Sequence, residues 1–352
     1  MGIKYATREQ VKTSLEIAHS AWSNALIDGK LETASRDAEK FLHRRFYPEL
    51  RTISKDWPGY QYSPTWQLWL DDQELISLAS FVSGGTSIST ANIKLRRGDD
   101  LAEPPYSFLE VDLSSSAAFS SGPTFQQSNA ITGVFGYNET DTDTVRGLLG
   151  GNINSSVQTL VINPSNGVLD VGVHSLLLIG TEYLVVTDRR MSDTGVNLTA
   201  VLSASNGDTV ATVGDGTAFA RDEIILIGGE RMRVNDIAGN NLIVSRSWDG
   251  TVIDDHAISD DIYALRTFTA TRGALGSTAA AHTAADSVYA HQFVVNELVI
   301  AETVVLLEQN ASGYARTVGS GPNLREAKGV GLEDVRSRAW ISYGRKARKG
   351  AI

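Results

Sequence analysis

The feature that most constrains this chain is an internal repeat in its second half. One seven-position pattern recurs at a constant spacing of 26 residues: Arg246, Gly250, Thr251, His256, Ile262, Tyr263 and Ala264 match Arg272, Gly276, Ser277, His282, Val288, Tyr289 and Ala290. A weaker match at a spacing of 48 residues relates Ile179-Gly180, Glu182 and Val186 to Ile227-Gly228, Glu230 and Val234. Repetition of this kind means that one structural unit has been reused to build a larger surface.

The region around the repeat, residues 141–292, is predicted to be an inserted β-rich repeat domain. Short apolar runs such as 176–179 and 224–227 are bounded by Gly, Asn or Asp, which is typical of strands and turns. Residues 239–241 (Gly-Asn-Asn) indicate a hairpin. Residues 61–140 are predicted to be a separate small β unit with a surface loop from Ser114 to Ser128.

The two ends of the chain have helical periodicity. In residues 1–60, a capping box at Thr7–Gln10 precedes a helix that is predicted to stop at Asp28-Gly29, and a second helix ends before Pro48. Residues 293–352 are predicted to be a C-terminal helix and a basic docking tail. The predicted fold class is α+β: N- and C-terminal helices forming a small helical bundle, a small β unit, and an inserted all-β domain with internal repeats.

Composition excludes several functions. The chain has no cysteine, which excludes disulfides and thiol catalysis. Its formal net charge of −10 argues against a dedicated nucleic-acid-binding protein. No apolar run reaches the ~20 residues that a membrane helix needs, and the first apolar residues alternate with charges, unlike a signal peptide. We expect no contact with a membrane.

A search for catalytic motifs predicts that the chain is not an enzyme. The sequence has no phosphate loop, no Gly-x-Ser-x-Gly and no His-Glu-x-x-His. Adjacent aspartates in glycine-rich turns are more typical of solvated turns than of catalytic pairs: Asp71-Asp72, Asp99-Asp100, Asp254-Asp255 and Asp260-Asp261. We predict no catalytic residue, no metal site and no cofactor; the spaced calcium-loop pattern is also missing. A hydrolase would need two carboxylates that face each other, and the sequence indicates no such pair.

The repeated histidines, His256 and His282, have two interpretations. As metal ligands they would pair across the repeats, with Asp254, Asp255 and Asp286 nearby. As structural residues, each would hydrogen-bond to backbone and pin a long turn before its strand, which also explains the constant spacing. The structural interpretation is favoured.

The C-terminal segment is basic although the whole chain is acidic. Six positive charges fall within fourteen residues, with two aromatic residues interleaved, and together they are predicted to dock on a partner: Arg336, Arg338, Trp340, Tyr343, Arg345, Lys346, Arg348 and Lys349. Cations late in a helix also complement its dipole, but this number exceeds what a cap needs. A protein partner is favoured over DNA, because one short patch neutralises few phosphates.

Several phrases of the sequence resemble the head–tail connector adaptor proteins of long-tailed bacteriophages. The resemblance is carried by residues 34–38 (Ala-Ser-Arg-Asp-Ala), by residues 42–48 (Leu-His-Arg-Arg-Phe-Tyr-Pro) and by residues 131–137 (Ile-Thr-Gly-Val-Phe-Gly-Tyr). Residues 272–282 are similar to a β-module phrase of phage structural proteins. The chain departs from the simplest adaptors by about 150 additional β-rich residues before its last helix.

The resemblance implies a structural virion protein at the head–tail junction, assembled in the bacterial host cytoplasm. Such a protein forms a dodecameric ring under the portal protein, extends the DNA channel and joins the capsid to a downstream neck, stopper or tail-terminator protein. DNA passes through the lumen without sequence-specific binding. In such adaptors the C-terminal segment docks on the portal, a role that falls on residues 332–349 here.

The alternative is a carbohydrate- or receptor-binding β-rich virion or tail protein. This function predicts an exposed aromatic platform on the repeats, for which the candidates are Trp248, Tyr263 and Tyr289.

Overall fold

The computed structural model describes residues 2–15, 22–58, 64–98, 103–311, 317–318, 325–326 and 330–345. It is mostly β, with 36% strand and 21% helix. This overturns the predicted fold class, because the protein is not a helical bundle with β additions. The helical segments are few, whereas strands occur throughout residues 49–290.

Four helices occur in the described part of the chain, and they pack on one another around one apolar core. They are α1 (Arg8–Ser14), α2 (Asn24–Leu42), α3 (Asn296–Ala311) and α4 (Val330–Tyr343). The capping box is confirmed, since the Thr7 hydroxyl accepts from the Gln10 amide and the Gln10 side chain accepts from the Thr7 amide.

The predicted helix stop at Asp28-Gly29 is wrong, because α2 begins after its N-cap Ser23 and continues to Leu42. An exposed helical glycine costs only about 1 kcal/mol. Burial of Ile27 and Leu31 on either side outweighs that cost. The helix instead ends at His43, which adopts the left-handed conformation (φ 53°).

The small β unit contains two sheets around a common core. The four-stranded sheet has the order β1-β7-β3-β4, with β1 (Glu49–Lys55), β3 (Leu75–Ser83), β4 (Thr86–Ile88) and β7 (Asn129–Phe135). The three-stranded sheet has the order β2-β6-β5, with β2 (Gln67–Trp69), β5 (Ile93–Arg96) and β6 (Phe108–Val111). The loop predicted at Ser114–Ser128 is confirmed, because neither helix nor strand occurs between β6 and β7.

The next ten strands along the chain form one sheet, and this sheet closes into two barrels. They are β8 (Gly147–Leu149), β9 (Thr159–Asn163), β10 (Leu176–Ile179), β11 (Glu182–Asn197), β12 (Val210–Thr212), β13 (Ile224–Ile227), β14 (Glu230–Ala238), β15 (Asn241–Ser245), β16 (Asp261–Ala274) and β17 (Ser287–Ala290). A separate two-stranded pair joins β18 (Thr317–Val318) to β19 (Arg325–Glu326).

Barrel A has the strand order β11-β10-β17-β8-β9-β16 and is closed by pairing of β11 with β16. Barrel B uses β16-β13-β14-β15-β12 and is closed by the end of β11, where Asn197 pairs with Asp261 and Leu198 bridges to Val213. The long strands β11 and β16 therefore belong to both barrels. Each barrel has its own apolar core.

The two barrels are copies of one unit, and barrel B is inserted into barrel A. The β14–β15 hairpin of barrel B turns at Gly239-Asn240, and its register pairs Arg233 with Ser245 and Val234 with Val244. In barrel A the equivalent register pairs Val185 with Thr271 and Val186 with Ala270, between β11 and β16. Barrel B is inserted into barrel A at the position where barrel B itself has a two-residue turn. The spacing of 48 relates barrel A residues before the insertion to their equivalents in barrel B. The spacing of 26 relates barrel B residues to their equivalents in barrel A after the insertion.

Candidate functional site

A buried glutamate, arginine and histidine meet inside each barrel. In barrel A they are Glu182, Arg272 and His282, and in barrel B they are Glu230, Arg246 and His256. Both glutamate side chains are fully buried. The glutamate begins the second strand of a hairpin, the arginine lies at or just after the end of a paired strand, and the histidine precedes the last strand of its barrel.

In barrel A, the carboxylate of Glu182 accepts five hydrogen bonds. Arg272 donates from Nε (2.7 Å) and Nη2 (2.8 Å), and His282 donates from Nε2 (2.8 Å). The amides of Gly273 and Ala280 donate the other two, at 2.9 and 3.0 Å. Burial by itself raises the pKa of Glu182, but the hydrogen bonds from Arg272, Ala280, Gly273 and His282 lower it to about 2.

Barrel B repeats this network atom for atom. Arg246 donates to Glu230 from Nε (2.8 Å) and Nη2 (2.7 Å), and His256 donates from Nε2 (3.0 Å). The amides of Ser247 and Asp254 complete the set. Burial opposes ionisation here too, and the same kinds of hydrogen bond lower the pKa of Glu230 to about 2.

The arginines connect each network to the surrounding loops. Nη1 of Arg272 donates to the carbonyls of Asn154 and Val157, and Nη1 of Arg246 donates to those of Ser203 and Asp208. Each carboxylate accepts five hydrogen bonds, and each network therefore fixes the loops around it.

The predicted histidine contacts are therefore different from those observed. The side chains of His256 and His282 bind a carboxylate and not the backbone, although the backbone of each does pair, with Leu202 and Ile153 respectively. In the described residues, no three His, Cys, Asp or Glu side chains are placed to hold a metal ion. Sequence reasoning missed the glutamates, even though Glu182 and Glu230 both belong to the 48-residue match.

The aromatic candidates for a carbohydrate platform do not form one. Trp248 lies half-buried with the Arg233 guanidinium over its ring, 5.3 Å from the centroid. Tyr263 and Tyr289 occupy equivalent strand positions in different barrels, and each is intermediate or borderline in exposure.

The predicted docking residues do not form one surface. Arg336 and Arg338 form ion pairs with α3, to Glu302 (2.8 Å) and Glu297 (3.0 Å). Tyr343 packs in the interior, where its ring lies 6.5 Å from Phe46 and 5.8 Å from Tyr137. Arg345 donates from its backbone amide to the Leu42 carbonyl and from its side chain to the Asp71 carbonyl. Lys346, Arg348 and Lys349 lie outside the described residues.

Trp340 belongs to a surface that we call the α2–α4 groove. Its ring lies 5.6 Å from that of Phe41, which is 37% exposed, and Ile341 beside it is 82% exposed. The groove has a volume of about 910 Å³ and is lined by Lys40, Phe41, His43, Glu333, Arg336, Ser337, Trp340 and Ile341. Exposed apolar groups grouped in this way, with a polar rim, are typical of protein–protein contact sites.

The helix α4 packs against α3 next to the groove. Ala339 of α4 is buried, and Arg336 of α4 pairs with the buried Glu302 of α3 (2.8 Å). Burial raises the pKa of Glu302, and Arg336 opposes that rise. The apolar residues of α4 therefore lie on a helix that is attached to α3.

No helix in the described part of the chain is long and apolar enough to cross a membrane. No protein-family model, curated protein or solved structure matches the chain. The functional interpretation therefore depends on the sequence and on the geometry of the α2–α4 groove and the two barrels.

Proposed function

We propose that this chain is a structural assembly protein of the head–tail adaptor type, which forms a ring of identical subunits and docks on the portal protein. One observation supports the proposal most directly: the α2–α4 groove presents Phe41, Trp340 and Ile341 to solvent on two neighbouring helices. A groove of this kind is suited to association with another protein. The duplicated polar clusters of the barrels, in contrast, are buried.

The cations near the groove suit the same function. Lys40 and Arg336 line it, and Arg338 is exposed beside them. Charges at the rim of an interface mainly set its orientation and its rate of formation. The buried apolar centre provides most of the affinity.

The structure changes how this proposal is tested. Truncation before residue 332 would remove Ala339 and Tyr343 from the core, so loss of binding would be confused with loss of folding. A point variant avoids this problem. Because Ile341 is 82% exposed, we expect Ile341→Asp to leave the fold intact while placing a charge among the residues that line the groove.

The experiment compares the wild-type chain, Ile341→Asp and the control Asp334→Asn, which is exposed on α4 but outside the groove. Each is imaged by electron microscopy alone and after co-expression with a portal protein encoded by the same genome. We expect closed rings on portal for the wild type and the control, and a loss of at least tenfold in assembled particles for Ile341→Asp. A wild-type chain that stays monomeric and never binds portal contradicts the proposal.

A further inference from the structure

The two barrels differ in what lies next to the loop that follows the arginine of the network. In barrel A, the loop that follows Arg272 rests on β1: the Leu50 amide donates to the Leu275 carbonyl (2.9 Å). Gly276 there approaches so closely that a Cβ would lie 2.1 Å from the Leu50 carbonyl oxygen. The equivalent Gly250 of barrel B has open space around it, with nothing within 4 Å of a Cβ.

The loops at this end of barrel B also carry exposed aliphatic side chains where barrel A does not. Val201, Val252 and Ile258 are 64%, 80% and 58% exposed. The equivalent positions of barrel A hold Asn152, Thr278 and Ala284, which are polar or small. The two copies share strand order, register and buried network, so these positions differ only in the side chains that they expose.

These three aliphatic residues lie on segments that are fixed to one another. Arg246 donates to the carbonyls of Ser203 and Asp254, and the Ala204 amide donates to Asp255 Oδ1. Leu202 and His256 pair through their backbones. We call residues 199–204 and 247–259 together the barrel B tip.

The barrel B tip is acidic as well as apolar. Asp254 and Asp255 are exposed within it, and Asp260 and Asp261 follow directly. Residues 198–208 and 247–262 contain neither lysine nor arginine. A partner for this surface needs an apolar centre and a cationic edge.

The α2–α4 groove of the same chain has both properties. Its floor is apolar, and its lining holds Lys40, one exposed carboxylate (Glu333) and the half-exposed guanidinium of Arg336, whose Nε is bound to buried Glu302. We infer that the barrel B tip of one copy binds the α2–α4 groove of a second copy. This interface is heterologous, so it propagates from copy to copy and closes a ring or extends a filament. The inference rests on the proposed function only in taking the groove as an association surface.

The test uses three purified full-length variants and measures oligomeric mass by light scattering and sedimentation. The double variant Val252→Asp/Ile258→Asp alters the tip, and Ile341→Asp alters the groove. The matched control, Thr278→Asp/Ala284→Asp, places the same charges at the equivalent positions of barrel A. We expect both interface variants to reduce self-association at least tenfold and the control to associate like the wild type.

Mixing the two interface variants gives the decisive result. The tip variant keeps its groove and the groove variant keeps its tip, so one productive contact remains between them. We expect a 1:1 heterodimer that grows no further. Circular dichroism and thermal melting of each variant verify that the fold is intact.

The outcomes separate this inference from the proposed function. If Ile341→Asp blocks assembly but the tip variant assembles like the wild type, the groove is an association surface with a different occupant, and the inference is wrong. If the wild type is monomeric up to its solubility limit, or if the mixed variants form no dimer, the inference is also wrong. If neither variant affects self-association or portal binding, both proposals fail.

Discussion

Barrel A and barrel B show what one β unit keeps and what it changes after duplication. Both keep the glutamate–arginine–histidine network and the hairpin register. Barrel A is joined to the helices and to β1: Leu176 packs in the helical core, the Val173 amide donates to Glu9, and Leu275 accepts from Leu50. In barrel B, the equivalent Gly250 has no atom within 4 Å of the place where a Cβ would lie. The buried polar network is therefore the part of the unit that both copies keep, whereas the surfaces of the loops differ and can serve as attachment points.

The largest effect is expected from breaking that network in either barrel. Glu182→Gln and Glu230→Gln each remove the partner of a buried arginine, which typically costs about 3–5 kcal/mol. Hydrogen exchange read by mass spectrometry should show lost protection in barrel A for the first variant and in barrel B for the second. Equal loss in both barrels for either variant would show that the barrels do not unfold separately.

A smaller, acid-dependent effect is expected at the junction of barrel A with the helical layer. His291 donates from Nε2 to the Phe46 carbonyl (3.1 Å), and its Nδ1 accepts from Thr140 (3.1 Å). Burial lowers the pKa of His291 from 6.5 to about 4. The unfolded chain therefore binds an extra proton between these values, so stability is lost as the pH falls from about 6.5 to about 4, by up to about 3 kcal/mol.

Barrel B has Leu265 at the position equivalent to His291, so this contribution belongs to barrel A alone. Urea unfolding at a series of pH values measures it, with His291→Gln as the comparison. In His291→Gln, the unfolding free energy should depend less on pH between 6.5 and 4 than it does in the wild type. An unchanged slope would mean that other groups cause the acid sensitivity.

The smallest effect is expected from removing barrel B altogether. Replacement of residues 191–266 by Gly-Asn rebuilds in barrel A the turn that barrel B has at Gly239-Asn240, with Arg190 and Thr267 closing the ladder. The rest of the chain should change in unfolding free energy by less than about 1 kcal/mol, because a folded insertion with adjacent ends adds little loop entropy. Retained exchange protection around Glu182 measures this; its loss would show that barrel A depends on its insertion.

Local features could be predicted from the sequence, and their long-range combination could not. The capping box at Thr7 and the hairpin at Gly239-Asn240 depend on neighbouring residues, and both are present. The helix stop at Asp28-Gly29 failed because Asp28 is engaged by Arg8 and His174, contacts that only the folded chain makes. The helical-bundle fold class failed because periodicity identified helices without measuring how much of the chain is strand.

The site was only half predictable for a related reason. Both spacings of the repeat, 26 and 48, were visible, and they included all six network residues. The insertion separates Glu182 from Arg272 by ninety positions, so the two matches looked like independent repeats. Nothing local to Phe41 distinguished it from the buried residues of α2, since its exposure depends on where α4 packs.

The sharing of β11 and β16 has a mechanical consequence. Any tension that acts on barrel B must pass into barrel A along these two strands, which run side by side. Both are pulled in the same direction, so the bonds between them carry little of the force. The bonds from β11 to β10 and from β16 to β9 are instead loaded sideways, all at once, because ladder hydrogen bonds are perpendicular to the strands. Because these bonds share the force, they do not break one after another, and barrel B stays attached to barrel A under tension.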